Sequence, residues 1–190
     1  GSTIALLSAI DQDNNDTHTY ELIAGEGDRD NSSFTIDGNE LKINSSPDYE
    51  TQSSYNIRLK KKDNGGLSFE KSFSLNVDDL NEVPTDLILS SNSFDKNINI
   101  GSLIASLSTT DQDSGDTYTY ELISGEGDTN NSYFIIEGDK LKINSSPNFD
   151  SQNSCNIRLK TTDSGGLSFE KSFTLGVNSN PPTGISVAFP

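Results

Sequence analysis

The chain of 190 residues contains no tryptophan, no methionine, one cysteine and one histidine. With Cys155 alone there is no intramolecular disulfide, and a secreted domain lacking that staple can be held together by metal instead. His18 and Cys155 cannot supply a zinc ligand set of nitrogen and sulfur. Cys155 lies in a segment that alternates apolar and polar residues and reads as a buried space-filler, so no thiol or imidazole catalysis is expected. Long apolar runs are also missing: none approaches the length of a membrane span, and no basic stretch followed by an apolar one opens the chain. The chain reads as a piece of something larger. Basic residues are scarce, 13 Lys and Arg against 29 Asp and Glu, for a formal net charge of -16. That balance disfavours nucleic acid or an anionic membrane surface as partner and favours cations.

What is present is a repeat. Residues 1–80 align without a gap on residues 101–180, at an offset of 100, with roughly two-thirds of positions identical. Asp11-Gln-Asp13 returns as Asp111-Gln-Asp113, Leu41 to Pro47 as Leu141 to Pro147, and Leu67 to Phe73 as Leu167 to Phe173. A period of this size is one small domain rather than a solenoid unit. We therefore expect a first module at 1–82 without its opening strand, a complete module at 83–180, and at 181–190 the opening strand of a third. The last assignment rests on Pro182-Thr183-Gly-Ile185-Ser-Val187, which resembles Pro84-Thr85-Asp-Leu87-Ile-Leu89. The spare C-terminal strand is expected to be able to fill the gap in a neighbouring chain, giving strand exchange between fragments.

The pattern is β throughout. Leu103, Ala105 and Leu107 alternate with more exposed positions, as do Tyr118, Tyr120 and Leu122, and then Cys155, Ile157 and Leu159. Phe134 and Ile136, then Leu141 and Ile143, flank a turn at Glu137-Gly138-Asp139. Leu167, Phe169, Phe173, Leu175 and Val177 make the last strand, with Lys171 as the exception. Phe69, Phe73, Phe169 and Phe173 are expected in the cores of their modules. Short alternating strands separated by polar turns give an all-β class: tandem Greek-key β-sandwich modules of the cadherin or immunoglobulin kind.

The acidic residues cluster at repeat positions, 11–16, 48–50, 78–86 and 111–116. Asp111-x-Asp113 follows a strand, Asp48-Tyr-Glu50 precedes one, Asp63 and Asp163 end strands ahead of Gly-Gly, and Asp79-Leu-Asn81-Glu82-Val-Pro84 lies between the modules. Hard cations such as calcium take six to eight oxygens from carboxylates, amides and carbonyls. Carboxylates brought within about 6 Å of one another repel unless a cation joins them. The spacing is not that of an EF-hand, because no Gly and bidentate Glu follow at the required positions. Solvated turn carboxylates, or Asp111 and Asp113 capping their own loop through backbone amides, remain the plainer readings.

Taken together, these motifs resemble cadherin repeats, in the bacterial and especially cyanobacterial form found in very large secreted or surface proteins. Asp48-Tyr-Glu50 corresponds to the family's Asp-Arg-Glu type motif. Lys62-Asp63-Asn-Gly65 and Thr162-Asp163-Ser-Gly165 correspond to its Ala-x-Asp-x-Gly, Asp79 to Pro84 to its linker, and Asp111-Gln-Asp113 to its Asp-x-Asp. The resemblance covers nearly the whole chain and implies a secreted or cell-surface location, no enzymatic activity, and Ca2+ between consecutive modules. It implies Asp48, Glu50 and Glu82 as ligands nearer the first module, Asp113 as a bridge, and Asn81, Asp111, Asp113 and Asp163 on the rim of the second. Asp79 and the carbonyls of Leu80 and Val83 would assist. Asp11, Asp13 and Asp63 form a weaker set at the N-terminal tip. The family's Glu near the end of its first strand falls at Lys96, with Asp95 beside it as a substitute.

Two departures set the modules apart. Asn148-Phe-Asp150 and Ser179-Asn180-Pro181-Pro182 stand where the first module has Asp48-Tyr-Glu50 and the acidic linker, so little calcium is expected there. The function implied is an adhesion or structural array stiffened by interdomain calcium. Its partners would be further repeats of the same chain, and homophilic or other cell-surface proteins. The alternatives are a calcium-independent spacer repeat and, with less support because there is no tryptophan, a carbohydrate-binding module.

Overall fold

The computed structural model describes residues 1–10, 16–145 and 152–179. The chain divides into two compact units, Gly1–Leu80 and a second from Asn81 onward. The expected opening strand at 181–190 and the segment Asn148 to Asp150 lie outside the described residues, as do Asp11 and Asp13.

The second unit shows the complete plan. Its strands are β7 (Asp86–Leu89), β8 (Ser93–Asp95), β9 (Leu103–Thr110), β10 (Thr119–Leu122), β11 (Phe134–Glu137), β12 (Lys140–Ile143), β13 (Ser154–Thr162) and β14 (Ser168–Asn178). They form two four-stranded sheets, ordered β7-β9-β12-β11 and β10-β13-β14-β8. All pairings are antiparallel except β8 with β14. β7 and β8 are consecutive, yet each closes a different sheet. Leu87, Leu141, Ile157, Leu159 and Leu175 are fully buried between the sheets, and Phe94 meets Phe134 edge-on at 5.8 Å. Cys155 is buried too, and loss of solvent pushes its thiol up to about 11, as suits an inert space-filler.

Lys171, the expected exception in the last strand, has a structural cause. Its ammonium donates to Asp86 Oδ1 at 2.6 Å and to the Leu87 carbonyl at 3.1 Å, so β7 satisfies the charge it covers.

The first unit repeats this plan with two strands fewer. Its β1 (Ser2–Leu6), β3 (Phe34–Asp37) and β4 (Glu40–Ile43) form one sheet, ordered β1-β4-β3. β2 (His18–Leu22), β5 (Ser54–Asp63) and β6 (Ser68–Asn76) form the other, ordered β2-β5-β6. Its buried core is Phe34, Leu41, Ile43, Ile57 and Leu59. Among the described residues nothing corresponds to β7 or β8, so β1 and β6 are edges. This corrects the expectation for the first copy's phenylalanines: Phe69 is 63% and Phe73 39% exposed, while Phe169 and Phe173 pack against the second core.

A second correction concerns phase. Leu103 is exposed and Ile104 buried, opposite to simple alternation. Leu141 pairs with Ala105 but Lys142 with Leu103, so Ile104 is an extra residue in β9. A β-bulge of this kind shifts the side-chain alternation by one. The first unit has the same shift between Thr3 and Ala5.

Together these sheets make each unit an all-β sandwich. Turns at the ends of the strands carry the acidic residues.

Candidate metal centre

In the second unit the loop after β9 folds back on itself. Asp111, Asp113 and Asp116 are half-buried, and each offers a carboxylate oxygen within 4.8 Å of the others. Gly115, with φ of 110°, lies in the left-handed region and makes the turn that returns Asp116 to its neighbours. Asp113 Oδ2 accepts the Glu82 amide at 2.8 Å, and Asp111 Oδ1 accepts the Asp113 amide at 3.4 Å. Asp116 Oδ1 accepts from the Ser164 hydroxyl at 2.6 Å. Asp111 Oδ2 and Asp116 Oδ2 are buried and accept no hydrogen bond within the protein. Capping of the loop therefore accounts for part of this cluster and leaves two carboxylate oxygens over. The negative field reaches Tyr118: burial first, then the charges of Asp111 and Asp116, push its phenol above the ordinary range.

Asp163 closes the turn at the end of β13 and is 6% exposed. Its Oδ1 accepts the Leu167 amide at 2.9 Å and its Oδ2 accepts the Asn81 side-chain amide at 3.1 Å. Burial alone would raise its pKa, but Asn81 and the amides of Leu167, Gly166 and Gly165 outweigh it and hold the carboxyl below the ordinary range. Gly165 is required here, because a Cβ would lie 2.2 Å from Asn81 Oδ1. Glu82 and Asp113 also bring carboxylate oxygens within 4.8 Å of each other. Just beyond, Pro84 is fully buried and the Thr85 amide donates to the Thr110 carbonyl at 2.8 Å, which fixes the linker to its own module.

In the first unit, Asp48 is committed to its turn: it accepts the Thr51 hydroxyl at 2.9 Å and the Thr51 amide at 3.1 Å. These bonds, the hydroxyl's first, hold its carboxyl below the ordinary range. Glu50 and Asp79 offer carboxylate oxygens within 4.8 Å of one another. Hydrogen bonding to its own amide favours the Glu50 anion, but burial and the neighbouring Asp48 and Asp79 outweigh that and raise its pKa. Asp63 repeats the Asp163 turn, accepting the Leu67 amide at 2.8 Å. Leu80 and Val83 are exposed. Asp95 ends β8 opposite Asn178 and joins neither acidic group among the described residues.

Sequence reasoning marked 111–116 as an acidic cluster but passed over Asp116 as a ligand, and it missed Ser164. The available signal was that Asp16 and Asp116 recur while the intervening Asn14-Asn15 and Ser114-Gly115 do not. The donors gathered in the second unit are all oxygen, which suits a hard cation such as Ca2+ and no thiophilic metal.

No family model matches the chain. Human protocadherin Fat 4 is 28% identical over 201 residues, covering 98% of this chain and 4% of that protein, and mouse protocadherin Fat 4 is 26% identical over 198 residues. The chain thus spans a small fraction of the curated relatives it matches. Among solved structures, human protocadherin-24 EC1-2 superposes with a TM-score of 0.73 at 21% identity, covering 94% of this chain and 90% of that one. The protocadherin gamma B4 extracellular domain gives 0.66 at 26% identity, covering 93% of this chain and 29% of that one. The fold is accordingly the cadherin or immunoglobulin-like β-sandwich. The expected bacterial or cyanobacterial form is corrected, since these relatives are protocadherins, including those of human and mouse. In general terms the likeness is to extracellular cadherin domains of the adhesion type. That family is non-catalytic, and the chain is not an enzyme.

Proposed function

We propose that the chain is a calcium-binding stretch of an extracellular adhesion array, in which Ca2+ held at the acidic linker stiffens consecutive modules. The observation that carries this reading is the Asp111–Asp113–Asp116 cluster, with two buried carboxylate oxygens that accept nothing from the protein. Buried carboxylates at this separation repel, and burial deprives each anion of the water that would otherwise solvate it. A divalent cation answers both costs. Asp111, Asp113 and Asp116 would hold it in the second unit, with Asn81, Glu82 and Asp163 shaping the rim. Glu50, Asp79 and the carbonyls of Leu80 and Val83 would complete a linker site, and Asp48 contributes chiefly by fixing the turn that carries Glu50.

Calcium supplies charge neutralisation and a common point of attachment for ligands on either side of a linker. This chain's residues supply the orientation: Glu82 N–H fixes Asp113, Ser164 fixes Asp116, and buried Pro84 fixes where the linker enters its module. An array so braced resists bending and keeps its binding surfaces extended. Homophilic contact or binding to other surface proteins would then occur through such surfaces.

The test is thermal unfolding with millimolar calcium and with chelator, paired with small-angle scattering. A ligand held by the native state raises the melting temperature by mass action, about 2.7 kcal/mol of stabilisation at 100 times Kd. Equal melting curves and equal scattering in both conditions would leave the calcium-independent spacer as the function.

A further inference from the structure

We propose that the open face of the first unit is an acceptor for an extended strand. In the 190-residue chain, we infer that its occupant is the segment Pro182–Ala188 of a second copy. The inference is independent of the calcium reading, because it concerns the apolar face and not the acidic turns.

The acceptor is a cavity of about 490 Å³ in the first unit, lined among others by Leu7, Ile10, Tyr20, Phe69, Lys71 and Phe73. It lies where the second unit has β7. There Leu87 is fully buried, Asp86–Leu89 pairs with Leu107–Thr110, and Lys171 is held by Asp86 and the Leu87 carbonyl. By the repeat, the residues that would receive such a strand are Leu7 to Ile10, followed across the face by Lys71. In the first unit β1 stops at Leu6, whereas its counterpart β9 continues to Thr110. The stretch 7–10 has the sequence of a strand but no ladder partner to keep it one. β6 is likewise an edge, with Phe69 and Phe73 exposed above the cavity instead of covered. Two adjacent open edges with an apolar floor invite strand addition, in which main-chain bonds give affinity and alternate side chains fill pockets.

The chain carries a second sequence of the type that fills this place. Pro182-Thr183-Gly184-Ile185-Ser186-Val187 aligns with Pro84-Thr85-Asp86-Leu87-Ile88-Leu89, placing Ile185 and Val187 at the positions of Leu87 and Leu89. Both are β-branched and suit a strand. β7 uses only four paired residues, so 182–188 is long enough. The one mismatch is Gly184 at the position of Asp86, which leaves Lys71 without the acid that Lys171 has. That mismatch supplies a gain-of-function test.

Light scattering and sedimentation equilibrium of the 190-residue chain in chelator should show association that rises with concentration. Truncation after Pro181 should abolish it, and so should Ile185→Asp with Val187→Asp. Gly184→Asp should tighten it severalfold, and adding Lys71→Glu should cancel that gain. A peptide spanning residues 84–95 should compete. Circular dichroism of each variant guards against unfolding. A monomer at every concentration, association that survives truncation, or a C-terminal segment protected in a monomeric species would each overturn the proposal.

Discussion

The side-chain amide of Asn81 donates to the buried carboxylate of Asp163 across 3.1 Å, joining the linker to the turn at the end of β13. The contact is local to the second unit, and it fixes where the acidic linker begins. The adjoining Glu82 amide is in turn bound to Asp113. Two successive linker residues are thus held by two of the carboxylates that the function needs.

Because the Asn81 amide fills the space over Gly165, that glycine is a sensitive position. Gly165→Ala should expel the Asn81 side chain and lower stability by about 1–3 kcal/mol, the usual cost of overpacking. Gly65→Ala should be nearly silent, since the added Cβ meets Asp63 Oδ1 at an ordinary 3.4 Å. Urea unfolding of the two variants, in chelator, checks the contrast.

Asp116 separates a metal site from a capped loop. Asp116→Asn removes one of three crowded charges, so in chelator the melting temperature should hold or rise. The increment produced by millimolar calcium should shrink by more than half. Asp111→Asn with Asp113→Asn should abolish most of it. Calorimetric scans with and without calcium read both numbers; an unchanged increment in Asp116→Asn would remove that residue from the site.

Asp30 and Asn130 offer a built-in comparison for pH. Asp30 Oδ2 accepts the Asn56 amide at 2.6 Å, and Asn130 Oδ1 accepts the Asn156 amide at 2.8 Å. Burial would raise the pKa of Asp30, but the Asn56 amide, Arg29 and Gln52 outweigh it and lower the pKa from the ordinary 3.8. A carboxyl lowered on folding stabilises above its unfolded value, and that contribution is lost as pH falls through the folded value. Asp30→Asn should therefore flatten the acid limb of stability between about pH 5 and pH 2. Asn130→Asp should steepen it. Denaturant midpoints measured across that range decide the matter.

Leu87 tests how far the second unit depends on β7. Its side chain is fully buried between the sheets, so Leu87→Ala should cost about 2–5 kcal/mol. Leu6→Ala, at a position 69% exposed in β1, should cost far less. Chemical denaturation of both variants gives the difference.

Much of this architecture was legible in the residues. The gapless repeat gave two modules, alternation gave strands, and the acidic turns marked the rims. Three features were not legible, each for a physical reason. The bulge at Ile104 inverts a phase that alternation assumes constant, and no single residue announces it. Phe69 and Phe73 repeat the letters of Phe169 and Phe173, but burial depends on whether a neighbouring strand exists to cover them. Asp116 joins Asp111 only because Gly115 turns the loop through a left-handed conformation, and linear spacing does not encode that return. Lys171 looked like an interruption because its partner, Asp86, lies 85 residues earlier in the chain.

The way β7 and β8 close both sheets has a practical consequence for anyone cutting such arrays into pieces. A cut placed between these strands and the body they cover yields a fragment whose yield, solubility and apparent valency reflect two raw sheet edges rather than the native repeat. Placing the boundary ahead of Pro84, instead of at Gly101, keeps each sheet of the second unit at its full four strands. The same choice, repeated along the array, would set whether a recombinant piece reports the behaviour of a module or of its wound.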